Sequence, residues 1–448
     1  MSTQRDGFAS TLGALAATLG SAVGLGNIWK FPYLTGSNGG AAFVLTYLVA
    51  VALVGVPVMA VELAIGRRMR ASAVRAYRDV VPGLPVLAAV GWAGVLSSVL
   101  IMAFYTDVAG WVFATVARSV AASVRGVPLD PTGFVALASG TWEPVLWQAG
   151  VLLLACAIIA AGVSRGIERV TRALMPLLLG LLLLCDLRAL TLPGAWAGVS
   201  YLFAPDLSRL TGPVLLSALG LAFFKLSLGM GTMTTYGSYL PDQVRLVPTA
   251  ARVALADTLV SLLAGLAIFP AVFALGGTPA GGPGLLFLTI PRLFAQMPMG
   301  GLFTTLFFVL AAVATIGAMV SLVEVPVAVL VERGVRRPLA AAAAGLVMLA
   351  LGAPATLSRS PGLGGLRLGD RTLFDLFDFA SSNLLLPLGG LCIAVIGGWL
   401  LPRSALLDEL TRGHPGRART AAAVQLAARW LAPVLIALIL LSGLGVLG

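Results

Sequence analysis

Long apolar stretches separated by short polar turns run through the whole chain. Eleven of them reach or approach the roughly 20 residues that an α-helix needs to cross a bilayer. They cover residues 11–36, 41–66, 87–122, 145–163, 167–190, 213–240, 246–275, 300–331, 339–353, 371–400 and 421–446. This pattern predicts an all-α membrane protein with about eleven transmembrane helices.

Two of the predicted helices are interrupted at mid-length by glycine and polar residues. The first reads SAVGLGNIWKFP over 21–32, and the second reads FFKLSLGMG over 223–231. Glycine weakens a helix and proline removes a donor, so we expect the first helix to unwind over about 22–26. Unpaired backbone groups inside a bilayer must be satisfied by protein or by a water-filled cavity. The alternative is that these glycines only let helices pack closely.

The interruptions fall in the first and sixth predicted helices, at matching positions of two five-helix halves. Broken helices in such positions are typical of an inverted repeat. We predict one domain over 1–448, with a first repeat at 11–190, a second at 213–400 and an eleventh helix at 421–446. This organisation favours a transporter over a receptor or a membrane enzyme.

Positive charge is concentrated after the even-numbered helices. The formal net charge is +11. The arginines concerned are Arg67, Arg68, Arg70, Arg75, Arg78, Arg165, Arg169, Arg172, Arg245, Arg333, Arg336, Arg337, Arg403, Arg412, Arg417 and Arg419. The positive-inside rule therefore predicts a cytoplasmic N-terminus and a C-terminus outside. The basic balance indicates a lipid bilayer and no nucleic acid as the partner.

Composition excludes several other classes of protein. Hydrophobic residues make up 59% of the chain and charged residues 10%. The three cysteines, at 156, 185 and 392, lie in apolar segments without the spacing of a disulfide framework or a metal site. No nucleophile–base set, HExxH motif or phosphate loop is present, so we expect neither an enzyme nor a bound metal.

Seven motifs between about residues 5 and 400 carry a family resemblance. They read GSAVGLGNIWKFPYLTGSNGGAAF, VPVMAVELAIGR, FYTDVAGW, RGIERVTRALMP, FFKLSLGMGTMTTYGSYL, ADTLVSLLAGLAIFP and FDLFDFASSNLLLPLGG. The chain resembles the neurotransmitter:sodium symporter family, in particular its bacterial amino-acid transporters with the LeuT fold. The resemblance implies alternating-access transport in a bacterial inner (plasma) membrane. It places an amino acid between broken helices 1 and 6, flanked by helices 3 and 8.

The resemblance also implies which residues bind the substrate. The carboxylate would meet the backbone at Leu25 and Gly26 and the hydroxyl of Tyr105. The other substrate positions are Ala22, Ile101, Phe224, Ser227, Met230 and Leu322. Since these are mostly apolar, we predict a neutral, hydrophobic amino acid; plain core packing is the alternative at each position.

Charged residues fall on the gate positions of the family. By resemblance, Lys30 and Asp378 form the outer gate. Arg5 and Glu332 form the inner gate, helped by Tyr239. The alternative is that these charges are solvated ends of loops.

The sequence departs from the family at both sodium sites. The first site keeps Ala22 and Asn27, but its helix-6 hydroxyl position is Lys225 and its helix-7 position is Asp257. The second site uses carbonyls and two hydroxyls of helix 8, and both hydroxyls are missing here. Its five positions are Gly20, Val23, Ala314, Gly317 and Ala318.

These departures predict a transporter that needs no sodium and no other cofactor. A lysine cation repels Na⁺ strongly at short range. We expect the Lys225 ammonium to replace the first sodium and to contact Asp257, Asn27 and the substrate carboxylate. An ionisable residue inside a membrane is a functional candidate, so Lys225 would couple transport to H⁺ or support exchange. The alternatives are a fixed salt bridge, a sodium-coupled symporter with rebuilt ion sites, and an amino-acid sensor that does not transport.

For several residues the sequence leaves more than one role open. Ser261 falls where chloride-dependent relatives have a serine, with Tyr47 nearby, and Lys225 would either crowd or attract chloride there. Asp107 and Asp186 are unusual in membrane segments, and would be vestibule charges, proton relays or paired groups. The sequence does not specify the amino acid or the oligomeric state.

Overall fold

The fold of this chain is a bundle of long helices. The computed structural model describes residues 7–127, 129–130, 132–280, 282–360, 367–412 and 418–446. Its helices are α1 (Thr11–Ala22), α2 (Gly26–Ser37), α3 (Ala41–Met69), α4 (Ala73–Val80), α5 (Pro85–Val124), α6 (Thr132–Ala138), α7 (Trp142–Ala160), α8 (Val163–Leu190), α9 (Ala195–Phe203), α10 (Gly212–Lys225), α11 (Thr232–Gly237), α12 (Leu246–Ala274), α13 (Thr289–Phe294), α14 (Gly300–Glu332), α15 (Arg337–Leu357), α16 (Leu373–Leu400), α17 (Arg403–Thr411) and α18 (Ala418–Gly443).

The helices follow the predicted apolar stretches. Within the described residues, nine helices are long and apolar enough to cross a membrane. A tenth span is the pair α1 and α2, which meet at 49° across a short break. Helices α10 and α11 lie in the predicted sixth span, again with a break between them, and α10 alone is a shorter apolar helix. The predicted fold class is confirmed, and the boundaries of the two repeats stay a prediction.

Burial separates inner from outer helices. In the most apolar window of each helix, 78% of α14, 72% of α3 and 67% of α12 is buried inside the protein, against 28% of α8 and 33% of α18. The near-continuous apolar sequence of the inner helices follows from this, since apolar side chains there face protein on all sides. The two broken spans pack among these inner helices, so their unwound backbone is shielded from lipid.

A short hairpin precedes α16. Strands β1 (Arg367–Leu368) and β2 (Arg371–Thr372) are antiparallel, with Arg367 opposite Thr372. The Thr372 side chain accepts from the Asp375 N–H while the Asp375 carboxylate accepts from the Thr372 N–H. This capping box satisfies two donors at the start of α16.

Many of the arginines predicted to lie on one side of the membrane meet at one end of the bundle. Arg70, after α3, pairs with Asp242 at 2.5 Å. Arg75 of α4 lies 3.8 Å from the Glu332 carboxylate at the end of α14. Arg412, after α17, also pairs with Asp242, at 2.7 Å. We call this end of the bundle the arginine-rich face.

Candidate functional site

The break between α1 and α2 leaves backbone groups that side chains satisfy. The N–H of Gly24 donates to Asn27 Oδ1 at 3.0 Å, and the N–H of Leu25 donates to the Tyr105 hydroxyl at 3.0 Å. Helix α1 ends at Ala22, where the sequence predicted unwinding. A helix end inside a membrane protein needs such partners, because lipid offers its free backbone groups no hydrogen bonds.

The break between α10 and α11 is held in an uncommon backbone conformation. Ser227 has φ +54°, and Gly229 and Gly231 have φ +80° and +76°. A positive φ costs a serine free energy that a glycine does not pay. The Ser227 hydroxyl donates to the Ser21 carbonyl at 2.9 Å, which joins the two breaks. The Gly229 N–H donates to the buried Glu62 carboxylate at 2.8 Å.

A cavity of about 390 Å³ lies between the two breaks. We call it the central cavity. Its lining consists of Ser21, Ala22, Gly24, Gly26, Ile101, Tyr105, Phe224, Lys225, Ser227, Met230, Ala318 and Leu322. The structure thus brings together every predicted substrate residue except Leu25, which reaches the cavity wall through its bond to Tyr105. Sequence reasoning missed Ser21 and Gly24 as wall residues.

Lys225 and Asp257 form a buried ion pair beside this cavity. Lys225 Nζ lies 3.0 Å from Asp257 Oδ2, and neither side chain is exposed. The ammonium also donates to the hydroxyls of Tyr47, at 2.8 Å, and Ser261. Asn27 Nδ2 donates to Asp257 Oδ1 at 2.6 Å and to the Ser261 hydroxyl at 3.0 Å. The Tyr47 hydroxyl donates to Asp257 Oδ2 at 3.0 Å. We call these five residues the lysine network.

The lysine network uses all three N–H donors of the ammonium. Of the expected contacts of Lys225, the one with Asp257 is present, and the one with Asn27 is indirect through Asp257 and Ser261. In this conformation only the lysine stem faces the central cavity, with Cγ near Gly26. The network ties α2, α3, α10 and α12 together.

Two helices lie in close contact at Gly317 and Ala318, the positions where the second sodium site was expected to lack its hydroxyls. A Cβ atom built on Gly317 would lie 2.5 Å from the Gly20 carbonyl oxygen. One built on Gly24 would lie 2.9 Å from the Ala318 Cβ atom. A larger side chain at 317 would therefore force α1 and α14 apart. The Ser21 hydroxyl is buried without a hydrogen-bond partner in the described part of the chain, and it shares the cavity wall with Ala318.

On the Lys30 side of the cavity, the residues predicted to form the outer gate, Lys30 and Asp378, do not pair with each other. Lys30 Nζ sits 4.0 Å above the centre of the Phe224 ring. Asp378 Oδ1 accepts from the Ser382 hydroxyl at 2.8 Å. Among the described residues no ion pair joins Lys30 to Asp378. Phe224 is half-buried and covers the cavity beneath the lysine.

The opposite side is closed by aromatic packing. The Phe8 ring packs edge-on against Tyr236, at 5.6 Å, and Tyr239, at 6.0 Å. The Tyr239 hydroxyl donates to Glu324 Oε1 at 2.6 Å. Glu332 accepts from the Ser72 hydroxyl at 2.5 Å and from the Ser72 N–H at 3.2 Å. The other predicted gate residue, at position 5, lies outside the described residues.

The two unexplained aspartates have different surroundings. Asp107 is buried and pairs with Arg359, whose guanidinium lies 4.3 Å from the ring centres of both Trp111 and Phe374. Asp186 of α8 is also buried, yet neither carboxyl oxygen has a hydrogen-bond partner within the described residues. Asp107 is thus a paired group, whereas Asp186 is an isolated buried carboxyl.

Comparison with known proteins matches this site to one family. The model of the sodium:neurotransmitter symporter family matches residues 5–125 and 139–445. The uncharacterized sodium-dependent transporter YhdH of Bacillus subtilis is 37% identical, over 98% of this chain and 98% of its own length. An uncharacterized sodium-dependent transporter of Haemophilus influenzae is 32% identical, over 90% and 91%. The crystal structure of MhsT in complex with L-phenylalanine superposes with a TM-score of 0.90, at 40% identity, over 98% of this chain and all of that one.

The fold and the site define a multi-pass secondary transporter for a small molecule, and the predicted resemblance is confirmed. The chain belongs to the sodium:neurotransmitter symporter family. Because this is a family of transporters and its named relatives are transporters, the chain is not an enzyme, as predicted.

The prediction that sodium is not required is wrong. The family is defined by sodium symport, and the Bacillus and Haemophilus relatives are named sodium-dependent. The error came from treating the absence of two hydroxyls as the loss of the second sodium site. By the resemblance, three of the five positions of that site, Gly20, Val23 and Ala314, would offer backbone carbonyls, which no side-chain substitution removes.

Proposed function

We propose that this protein is a sodium-coupled transporter of neutral amino acids with hydrophobic side chains. The observation that carries the proposal is the chemistry of the central cavity, which is polar at the two breaks and apolar elsewhere. Such a cavity suits a small zwitterion with an apolar side chain.

The carboxylate end of the substrate would lie at the break between α1 and α2. Helix α2 begins at Gly26, and the first turn of a helix carries partial positive charge. The Tyr105 hydroxyl accepts from the Leu25 N–H, so its own proton is free to donate to an anion. Together these groups favour the binding of a carboxylate, although none of them is a charged side chain.

The ammonium end would lie against the end of α1. Helix α1 ends at Ala22, and its last carbonyls carry partial negative charge. These groups attract a cation on the side of the cavity opposite Gly26.

The side chain of the substrate would meet an apolar wall. Ile101, Met230 and Leu322 are buried and line the cavity, and Phe224 covers it. Among the described lining residues the single charged one is Lys225, and its ammonium is already fully bonded. A charged substrate side chain would lose its hydration there without gaining a partner, so the cavity favours neutral amino acids.

Lys225 would serve as a fixed cation in the place of the first sodium. Its ammonium contacts Asp257 and Ser261, and both of these residues also bond to Asn27, which the resemblance assigns to that sodium. A second cation in contact with this ammonium would be repelled. We therefore assign the transported sodium to the second position, with carbonyl oxygens of Gly20, Val23 and Ala314, and we expect one sodium per substrate.

The arginine-rich face would be cytoplasmic. Short loops rich in arginine stay on that side of a bacterial inner membrane. The ion pairs at Arg70, Arg75 and Arg412 join several of these loops at one end. This orientation leaves the Lys30 side of the central cavity facing outward.

Uptake into proteoliposomes tests the proposal. Radiolabelled phenylalanine and leucine should accumulate when a sodium gradient points inward, and a pH gradient alone should have no effect. Unlabelled neutral hydrophobic amino acids should compete, whereas glutamate and lysine should not. Uptake that ignores sodium, or equal competition by charged amino acids, would reject the proposal.

A further inference from the structure

A second cavity opens at the arginine-rich face, away from the central cavity. It has a volume of about 560 Å³ and lies between the end of α3, the start of α12 and the start of α18. Its lining consists of Arg67, Val244, Arg245, Val247, Pro248, Leu410, Arg412, Thr420 and Ala421. Among these residues, three are arginines and none is acidic. We call this space the arginine cavity.

Arg67 forms the fixed wall of the arginine cavity. Its side chain is 1% exposed. Nε lies 2.5 Å from Glu409 Oε1, and the other two guanidinium nitrogens donate to the carbonyls of Glu409 and Val244. Arg67 thus holds α3, α17 and the segment before α12 in one arrangement, and its own charge is largely compensated by Glu409.

The other charges around the cavity do not balance. Asp242 is shared between Arg70, at 2.5 Å, and Arg412, at 2.7 Å. Of the three lining arginines, Arg67 and Arg412 pair with the carboxylates of Glu409 and Asp242, whereas Arg245 pairs with none of the described residues. Arg245 therefore leaves surplus positive charge in the wall. A cavity with surplus arginine charge and no acid in its wall is a site for an anion.

Arg245 is the arginine with free donors. It is half-buried in the cavity wall and makes no hydrogen bond or ion pair within the described part of the chain. It immediately precedes α12, and no side chain caps that 29-residue helix. The N–H groups of the first helical residues add to the positive potential there. A planar guanidinium with free donors matches the paired oxygens of a phosphate.

The apolar part of the lining identifies the source of the phosphate. Val247 and Pro248 lie at the start of α12, and Ala421 lies at the start of α18. Both helices cross the membrane. Beyond the cavity they expose large apolar side chains, Leu255 and Leu426, each 61% exposed. An amphiphile with its phosphate at Arg245 would lay its acyl chains against these leucines.

We propose that the arginine cavity binds the phosphate head group of an anionic phospholipid from the adjacent leaflet. Arg245 and Arg412 hold the phosphate, and Arg67 shapes the wall behind it. The acyl chains follow the apolar sides of α12 and α18. The bound lipid connects the start of α12 with the residues after α17. This site is separate from the central cavity, and its occupancy does not depend on which substrate is transported.

Native mass spectrometry of the detergent-purified protein tests the site. Phosphatidylglycerol, phosphatidylcholine and inorganic phosphate are titrated separately. We expect phosphatidylglycerol to be retained at least tenfold more tightly than phosphatidylcholine. Arg245→Gln should weaken phosphatidylglycerol binding roughly tenfold, which is the effect of losing one charge-assisted contact. Arg412→Gln should weaken it as well.

Arg336→Gln is the matched control, because it removes an exposed arginine before α15 without touching the cavity. It should leave lipid retention unchanged. Because Arg245 has no partner among the described residues, Arg245→Gln is expected to fold, and unchanged circular dichroism checks this. Equal retention of the two lipids, or an equal loss in the Arg336 variant, would overturn the proposal. Inorganic phosphate bound as tightly as phosphatidylglycerol, with the same dependence on Arg245, would reject the lipid as the ligand.

Discussion

Lys225 on α10 and Asp257 on α12 form an ion pair of 3.0 Å in which neither side chain is exposed. Taking two charges out of water is costly, and the cost is recovered only when their remaining hydrogen-bonding groups are satisfied. Here the hydroxyls of Tyr47 and Ser261 accept the remaining hydrogen bonds of the ammonium, and Asn27 donates a hydrogen bond to the carboxylate. A buried pair with such complete bonding holds its helices in one arrangement, beside the cavity proposed for the substrate.

Removing one member of this pair should destabilise the protein strongly. Lys225→Ala leaves the Asp257 charge buried without a cation, which costs about 3–5 kcal/mol. The double variant Lys225→Met with Asp257→Asn leaves no unpaired charge, so it should recover much of the loss. Thermal unfolding of the purified variants measures both. Equal losses in the single and double variants would mean that the pair contributes nothing beyond its separate side chains.

The Ser21 hydroxyl should contribute to sodium binding. It is buried, has no partner in the described residues, and shares the cavity wall with Ala318, where the family has a sodium-binding hydroxyl. Ser21→Ala should raise the sodium concentration for half-maximal uptake about fivefold, as expected for the loss of one polar contact. The control is Ser97→Ala, which removes another buried, unpartnered hydroxyl on α5. An equal sodium requirement in the two variants would argue against this role.

The Tyr105 hydroxyl should set substrate affinity. Tyr105→Phe keeps the ring but removes the acceptor of the Leu25 N–H and the proposed donor to the carboxylate. We expect the KM for phenylalanine uptake to rise roughly tenfold. Tyr201→Phe, which removes a hydroxyl bonded to the Gly36 carbonyl elsewhere, serves as the control. A wild-type KM in the Tyr105 variant would show that the hydroxyl does not bind the substrate.

Asp186 should be dispensable for transport. Burying a polar group without partners is unfavourable, so Asp186→Leu should raise the free energy of unfolding by about 1–3 kcal/mol. Asp107→Leu is the contrasting variant: it leaves the Arg359 guanidinium without its carboxylate, and should lower stability. Uptake and thermal unfolding are measured for both. Loss of uptake in the Asp186 variant would instead identify a proton relay.

The apolar pattern alone was enough to predict the spans. The predicted helix at 246–275 is Leu246–Ala274 in the structure, and the one at 300–331 is Gly300–Glu332. Twenty apolar residues in a row have one stable arrangement in a bilayer, because every backbone group must be paired within the helix. The two breaks were equally predictable, since glycine and polar residues at mid-membrane depth oppose that arrangement.

Partners across the fold were harder to predict. Asp107 and Arg359 are 252 positions apart, and the sequence around either residue does not indicate that they pair. From the sequence, the ammonium of Lys225 could point into the cavity or toward α12. In the structure it points toward α12, where the hydroxyls of Tyr47 and Ser261 accept its hydrogen bonds. The error about sodium has another origin: the sequence indicated the three carbonyl positions, but not that a sodium site can persist without the two hydroxyls.

The number of sodium ions that enter with each substrate tests the central proposal most directly. Proteoliposomes are given ²²Na⁺ and tritiated phenylalanine, and the initial fluxes are compared. If Lys225 is the fixed cation at the first position, the coupled fluxes should stand in a ratio of one to one. A ratio of two sodium ions per phenylalanine would contradict this assignment, since a mobile ion would then occupy the place given to the ammonium.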